Sequence, residues 1–345
     1  MLELRSVLAT LAVAATVVTA GGCTDGGNGG DPMLVTSPPP VDEVLDSPHV
    51  AGLSLPLFSY RRSPEGEEVY RRAFDAVVND CLARFGFPPL PPSPMQELSA
   101  AQARAVTPAG LARRYGVTDP VVAGEWGYQP SAAEGFGNLP PPAPERHLTA
   151  AEMLILDGQV GGVTPEGDPL PDPHPDAVPP AGVTLPSVDP EAGTVGGEPV
   201  PPGGCNGEAR RTLGEDKVSH DDFAFPDDLA TEAWFQAEAD PRVVDVIESW
   251  SACMREKGHS YDHPLAPLDE FISGDRPSER EIRTALDDVA CKLEHNVVGV
   301  WHSVELAYQE VLIEQNQERL NDIRGRYEAT VRAAAELLGE PAPAR

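Results

Sequence analysis

Apolar side chains recur at helical spacing in three blocks of the chain, and stretches rich in Pro and Gly separate them. In the first block Tyr70, Phe74, Val77, Cys81 and Phe85 follow at intervals of 4, 3, 4 and 4 residues, which stacks them on one helical face. Ser63-Pro64 opens that helix with a capping hydroxyl and a Pro at the first helical position, and Glu65, Glu67 and Glu68 sit at its positive end. The Pro-rich run 88–94 stops it. The second block is Val243, Ile247, Trp250 and Met254 behind Asp240-Pro241, with a further helix expected over 228–239. The third begins at the capping box Ser278–Glu281 and runs through Ile282, Leu286, Val289, Leu293, Val297, Val300, Val304, Ala307 and Val311. After a polar gap near Asn316 it resumes at Leu320, Ile323, Tyr327, Val331, Ala334 and Leu338. One straight helix over that block would be ~85 Å long. Its stripe needs cover, from the other helices of a monomer or from a second copy in a coiled coil, and we expect the former. Gly299 is a point where it can bend into a hairpin.

Shorter signals lie between the blocks. Thr107-Pro108 predicts a two-turn helix ending at Gly116. Thr149–Glu152 is a capping box leading into Met153, Leu154 and Leu156, with Gly158 as the stop. Tyr115-Gly116 and Trp126-Gly127-Tyr128 read as loops whose aromatics dock on the helices. Between Pro165 and Pro202 there are 12 Pro, so a long disordered loop is expected there. Cys205–Leu213 reads as a short helix, and Phe223, Phe225 and Pro226 as a polar loop. No strand alternation with hairpin turns is evident. The fold class is mainly α: a helical domain with a long C-terminal helix or helical hairpin and long Pro/Gly-rich irregular loops, stapled by disulfides.

The first residues carry an address. Met1–Arg5 is short and polar, and Ser6–Ala20 is an unbroken apolar or small run. That run is shorter than the roughly 20 residues needed to span a bilayer and has the length of a signal-peptide core. It ends in Ala20-Gly21-Gly22-Cys23, which resembles a bacterial lipobox. The resemblance implies that Cys23 is acylated and becomes the first residue after cleavage. Small residues admit a peptidase to the backbone, and two or more acyl chains hold a protein to a membrane where one is marginal. The expected organisation is a signal peptide over 1–22, a flexible tether over 23–60, the first part of a helical domain over 61–160, a Pro/Gly-rich loop over 161–204, the second part of the same domain over 205–339, and a tail over 340–345.

Four cysteines remain: Cys81, Cys205, Cys253 and Cys291. An even number in an exported chain favours two disulfides, and the absence of a C-x-x-C pair argues against zinc. Three pairings are possible. DCLARFGF around Cys81 and ACMREKGH around Cys253 form a weak internal repeat, each placing its Cys near a helix end with Gly86 or Gly258 as the left-handed stop. Two equivalent helix ends suggest one bridge each, and sequence proximity pairs Cys253 with Cys291, leaving Cys81 with Cys205. Loop closure assigns each bridge on the order of 4–5 kcal/mol at most.

Composition narrows the function. The formal charge is −30, from 55 acidic and 25 basic residues, which excludes nucleic acid as a partner. The charge favours an envelope protein, a cationic ligand or a divalent cation instead. His259, Asp262 and His263 lie within five residues, but between a helix-stopping Gly and Pro264, where helical metal-ligand geometry is lost. His295 and His302 are seven residues apart and so share one helix face, with Glu294 and Glu305 close by as candidate acid–base groups. His220-Asp221-Asp222 reads as a charged loop. Signatures of nucleotide binding, serine hydrolysis, zinc proteolysis and EF-hand calcium binding are all missing, so neither a cofactor nor a metal is predicted. The expected role is a non-enzymatic binding or interaction module. The alternative is an envelope enzyme or metal-dependent hydrolase using His259, Asp262, His263 or residues of 295–305.

The segments GGCNGEARR, WSACMREKG, DVACK and NVVGVWHSVELAYQEVLIEQN are similar to parts of secreted lipoproteins of high-GC actinobacteria such as streptomycetes. The similarity covers 63–160 and 205–338. It implies export to the outer face of the cytoplasmic membrane, paired cysteines and a long C-terminal helix, with 165–202 as an insertion. It brings no assigned biochemical role.

Overall fold

Capping chemistry sets most of the helix starts. In a computed structural model, which describes residues 34–46, 53–89, 113–129, 148–159, 185–189, 192–271 and 276–343, α1 (Pro64–Arg84) begins where Ser63 Oγ accepts the Gly66 N–H. Asp119 caps α2 (Pro120–Trp126), and the Thr149/Glu152 capping box opens α3 (Ala150–Asp157), which Gly158 ends in the left-handed conformation. α4 (Gly204–Leu213) follows, then α5 (His220–Glu238) capped by Ser219 and α6 (Pro241–Glu256) capped by Asp240. α7 (Ala266–Phe271) is short, and the Ser278/Glu281 capping box opens α8 (Glu279–Glu294). α9 (Val297–Gln315) and α10 (Gln317–Leu338) complete the helices among the described residues.

The fold is mainly α, and two disulfides, Cys81–Cys205 and Cys253–Cys291, join its parts. The main core gathers Leu229, Ala233 and Ala237 of α5, Val243, Trp250 and Met254 of α6 and Trp301, Val304, Tyr308 and Leu312 of α9, and it continues into Leu320, Ile323 and Tyr327 of α10. α10 then leaves this core and lays Ala334 and Ala335 against Val69, Tyr70 and Ala73 of α1. A second cluster forms around Cys81 and Cys205, where α1, α3 and α4 meet. Along α9 and α10 the C-terminal stripe is covered by helices of the same chain, whereas Leu286 and Leu293 of α8 stay exposed.

Several expectations need correction. The C-terminal block, expected as one long helix or a hairpin bent at Gly299, forms long helices whose first break falls at Asn296 instead. Asn296 adopts φ 48°, a left-handed value that Asn tolerates better than most residues, and the second break is at Asn316. His220–Asp222 and Phe223–Pro226 are not loops, since α5 runs through them. Phe225 and Leu229 are buried on its inner face, so packing outweighs the one backbone hydrogen bond that Pro226 removes. Part of the Pro-rich 161–204 stretch is ordered. β1 (Val188–Asp189), β2 (Thr194–Val195) and β3 (Glu198–Pro199) pair antiparallel, and Val195 is buried in the cluster around Cys81. Residues 161–184 lie outside the described residues, as do the signal peptide, Cys23 and the expected helix start at Thr107-Pro108.

The tether boundary at residue 60 is also wrong. Residues 34–46 and 53–60 lie on the main core as a strap, ending in a 3-10 turn over Pro56–Tyr60 whose Leu57 and Tyr60 are buried. Its extended backbone has no strand to pair with, so side chains of α5, of the α8–α9 junction and of α9 take that place. The Val35 N–H donates to Gln236 Oε1 (3.0 Å), the Leu45 N–H to Ser303 Oγ (3.1 Å) and the Leu57 N–H to Gln309 Oε1 (3.1 Å). Asn296 Nδ2 donates to the Leu45 carbonyl (2.7 Å) and His302 Nε2 to the Ser54 carbonyl (3.0 Å). Gly299 is where the strap comes closest, because a Cβ there would lie 1.9 Å from the Leu45 oxygen.

Gly299→Ala therefore destabilises the fold by about 1–3 kcal/mol through overpacking. Gly325→Ala, in α10 with nothing within 4 Å of the added carbon, stabilises it by roughly 0.5–1 kcal/mol through helix propensity. Urea unfolding of the two variants checks this, and shifts of the same sign would contradict the close approach of the strap.

Candidate functional site

The two staples sit in unlike surroundings. Cys81–Cys205 joins α1 to α4 (Cα–Cα 5.6 Å) and is packed by Val78, Leu82, Leu154 and Ile155. Cys253–Cys291 joins α6 to α8 (Cα–Cα 5.8 Å) beside titratable groups. On α8, Asp287, Cys291 and Glu294 follow at intervals of 4 and 3 residues and so share one face. The end of α6 and the loop beyond it bring Cys253, Lys257 and His259 against that face. His259 Nε2 lies 2.9 Å from Asp287 Oδ2, and Lys257 Nζ lies 3.5 Å from Asp287 Oδ1. Cys253 Sγ is 3.9 Å from Glu294 Oε2. One ligand atom each of Cys253, Glu294 and His295 lies within 4.8 Å of the others.

The His259–His263 segment is a loop, as its sequence indicates, and its side chains diverge. His259 faces α8, while His263 Nε2 lies 2.8 Å from Glu238 Oε1 on α5, and its other ring nitrogen accepts the Leu265 N–H. Asp262 is exposed. The three do not converge on a point. His295 and His302 do not share a helix either, because the chain breaks between them. His302 is buried and holds the strap, and burial pushes its pKa down from the ordinary 6.5.

Glu305 belongs to a different arrangement, a set of buried charges under residues 113–129. Its carboxylate takes the Arg114 guanidinium (Nε at 2.9 Å), the Tyr115 hydroxyl (2.8 Å) and the Gln309 amide (3.1 Å). Asp288 accepts from Trp250 Nε1 (2.9 Å), the Tyr128 hydroxyl (3.1 Å) and Lys292 Nζ (2.9 Å). Lys292 Nζ also donates to the Val117 carbonyl (3.0 Å). Glu281 accepts the Tyr128 N–H and the Gln129 amide, both at 3.0 Å. Burial pushes the Asp288 pKa up and the Lys292 pKa down, each against the attraction of the other's charge. Burial also holds the Tyr115 hydroxyl well above its ordinary value, with the neighbouring Glu305 charge adding to the shift.

Helical spacing alone did not reveal these groups. On α8 the apolar stripe Leu286 and Leu293 stays 40% and 41% exposed, while Glu281, Thr284, Asp288 and Lys292 turn inward. The available signal was Asp288 four residues before Lys292, next to Cys291, in a chain with three lysines. Trp250 and Trp301 are fully buried in the core. Compared with known proteins, the chain matches no family model, no curated protein and no solved structure.

Asp288→Asn leaves the Lys292 ammonium buried without its carboxylate, and a loss of about 3–5 kcal/mol is expected. Adding Lys292→Met restores part of it. Thermal unfolding of the single and double variants reads this, and additive losses would contradict the coupling of the pair. For His302 the folded pKa lies below the unfolded one, so the unfolded chain takes up the proton first. Its contribution is complete above pH 6.5 and falls away as the pH drops from there toward the folded pKa. Urea midpoints against pH should slope less in that window for His302→Gln, and an unchanged slope would contradict this.

Proposed function

We propose that the chain is a lipid-anchored envelope protein on the outer face of the cytoplasmic membrane, acting as a non-enzymatic interaction module. The observation that carries this is the apolar run ending in Ala20-Gly21-Gly22-Cys23, together with two disulfides in the same chain. Disulfides persist in oxidising compartments, which is where such a signal delivers a protein. Among the described residues no helix is long and apolar enough to cross a membrane, and in this reading Cys23 carries the attachment.

The strap changes the picture of the anchor. Among the described residues packing on the main core starts at Val35, which lies twelve positions after Cys23. At 3.3–3.6 Å per extended residue, that is a reach of at most about 40 Å. The chain's net charge of −30 favours cationic partners. The reading as an interaction module draws on the histidines and carboxylates that acid–base chemistry would need. Glu305, His302, His259 and His263 each face an internal partner.

Cys23→Ser should move the protein from the membrane fraction to the soluble fraction and abolish incorporation of labelled fatty acid. Recovery of the same membrane-attached, acylated material would overturn the anchor. Envelope cross-linking of the acylated chain, followed by mass spectrometry, identifies the partner.

A further inference from the structure

We infer that the Cys253–Cys291 staple is a latent zinc site, formed when a dithiol reductant opens the disulfide. This does not rest on the lipid anchor. Three potential ligand residues already lie close together, and a fourth, Cys291, is bonded to one of them. Cys291 and Glu294 come from the C-terminal turn of α8 and His295 is the residue that caps it, in the pattern Cys-x-x-Glu-His, and Cys253 comes from α6. One ligand atom each of Cys253, Glu294 and His295 lies within 4.8 Å of the others, and Cys291 Sγ is bonded to Cys253 Sγ. Tetrahedral zinc with Zn–S near 2.3 Å and Zn–N near 2.0 Å places neighbouring ligand atoms about 3.5 Å apart. Ordinary side-chain rotation on fixed helices covers that difference. Two thiolates, an imidazole and a carboxylate are a ligand set that zinc accepts.

The step balances. The dithiol delivers two electrons and two protons to the Cys253–Cys291 bond and leaves as its own disulfide, giving two free thiols. Zinc then displaces both thiol protons and bonds both sulfurs, His295 and Glu294. The metal rejoins α6 to α8 at the residues the disulfide had joined, so the cross-link survives reduction in another form. The other staple offers no such set, since Cys81 and Cys205 are packed by Val78, Leu82, Leu154, Ile155 and Ala209.

The test treats the full chain with a dithiol reductant and titrates zinc alone against a chromophoric chelator. Uptake of one zinc per reduced chain and none per oxidised chain is expected, with recovery of the melting temperature lost on reduction. Cobalt in place of zinc should give the visible bands of a tetrahedral thiolate site. Cys253→Ser with Cys291→Ser abolishes uptake, and Cys81→Ser with Cys205→Ser leaves it. Glu294→Gln and His295→Ala each weaken it more than tenfold. Failure of the reduced chain to take up zinc, folded or not, overturns the inference. So does uptake that is indifferent to Glu294→Gln and His295→Ala, which would be binding by loose thiols.

Discussion

A carboxylate removed from water stays in a fold only where donors replace the water it lost. Asp288, Glu305 and Glu281 are all buried here, and the donors that satisfy them decide how the rest of the chain lies. Arg114, Tyr115, Tyr128 and Gln129 all come from the 113–129 segment, and Val117 supplies the carbonyl for Lys292. That segment has only one short helix of its own, α2. Its place is set by the charges of α8 and α9, and those charges are tolerable because it is there. Buried ion pairs are weak contributors to net stability, but removing one partner is severe, so such a network fixes position more than it adds free energy.

The same economy of polar groups governs the strap. An extended chain on a helical surface exposes N–H and C=O groups with no ladder to join. Gln236, Asn296, His302, Ser303 and Gln309 supply partners at intervals along it. Neutral His302 suits this work, because its Nε2–H donates to a carbonyl without bringing a charge into the core. If the chain is anchored at Cys23, any pull from the membrane is borne first by these bonds and by the packing of Leu57 and Tyr60.

The disulfides divide structural roles. One lies in apolar packing that holds α1, α3 and α4 together. The other lies at the edge of the charged face of α8, with Glu294 and His295 beside it. Equivalent positions at helix ends therefore carry different chemistry. Gly86 and Gly258 close both helix ends at positive φ, which is the local feature the repeat shares.

Much of this was legible in the residues. Helix starts at Ser63, Thr149, Asp240 and Ser278 follow from capping and Pro chemistry that acts within four residues. The pairing of cysteines followed from a repeat of helix ends together with the closeness of Cys253 and Cys291 in sequence. The inward face of α8 could not be read this way, because hydrophobic spacing points to Leu286 and Leu293 while the buried side holds Asp288 and Lys292. Nor could the strap, whose partners lie about 200 to 260 residues away in sequence. Local order and the mainly helical class come from interactions within a few residues, which the order of side chains specifies directly. Which charges are buried, and which segment covers them, depends on donors and acceptors far apart along the chain, and only the folded arrangement brings those together.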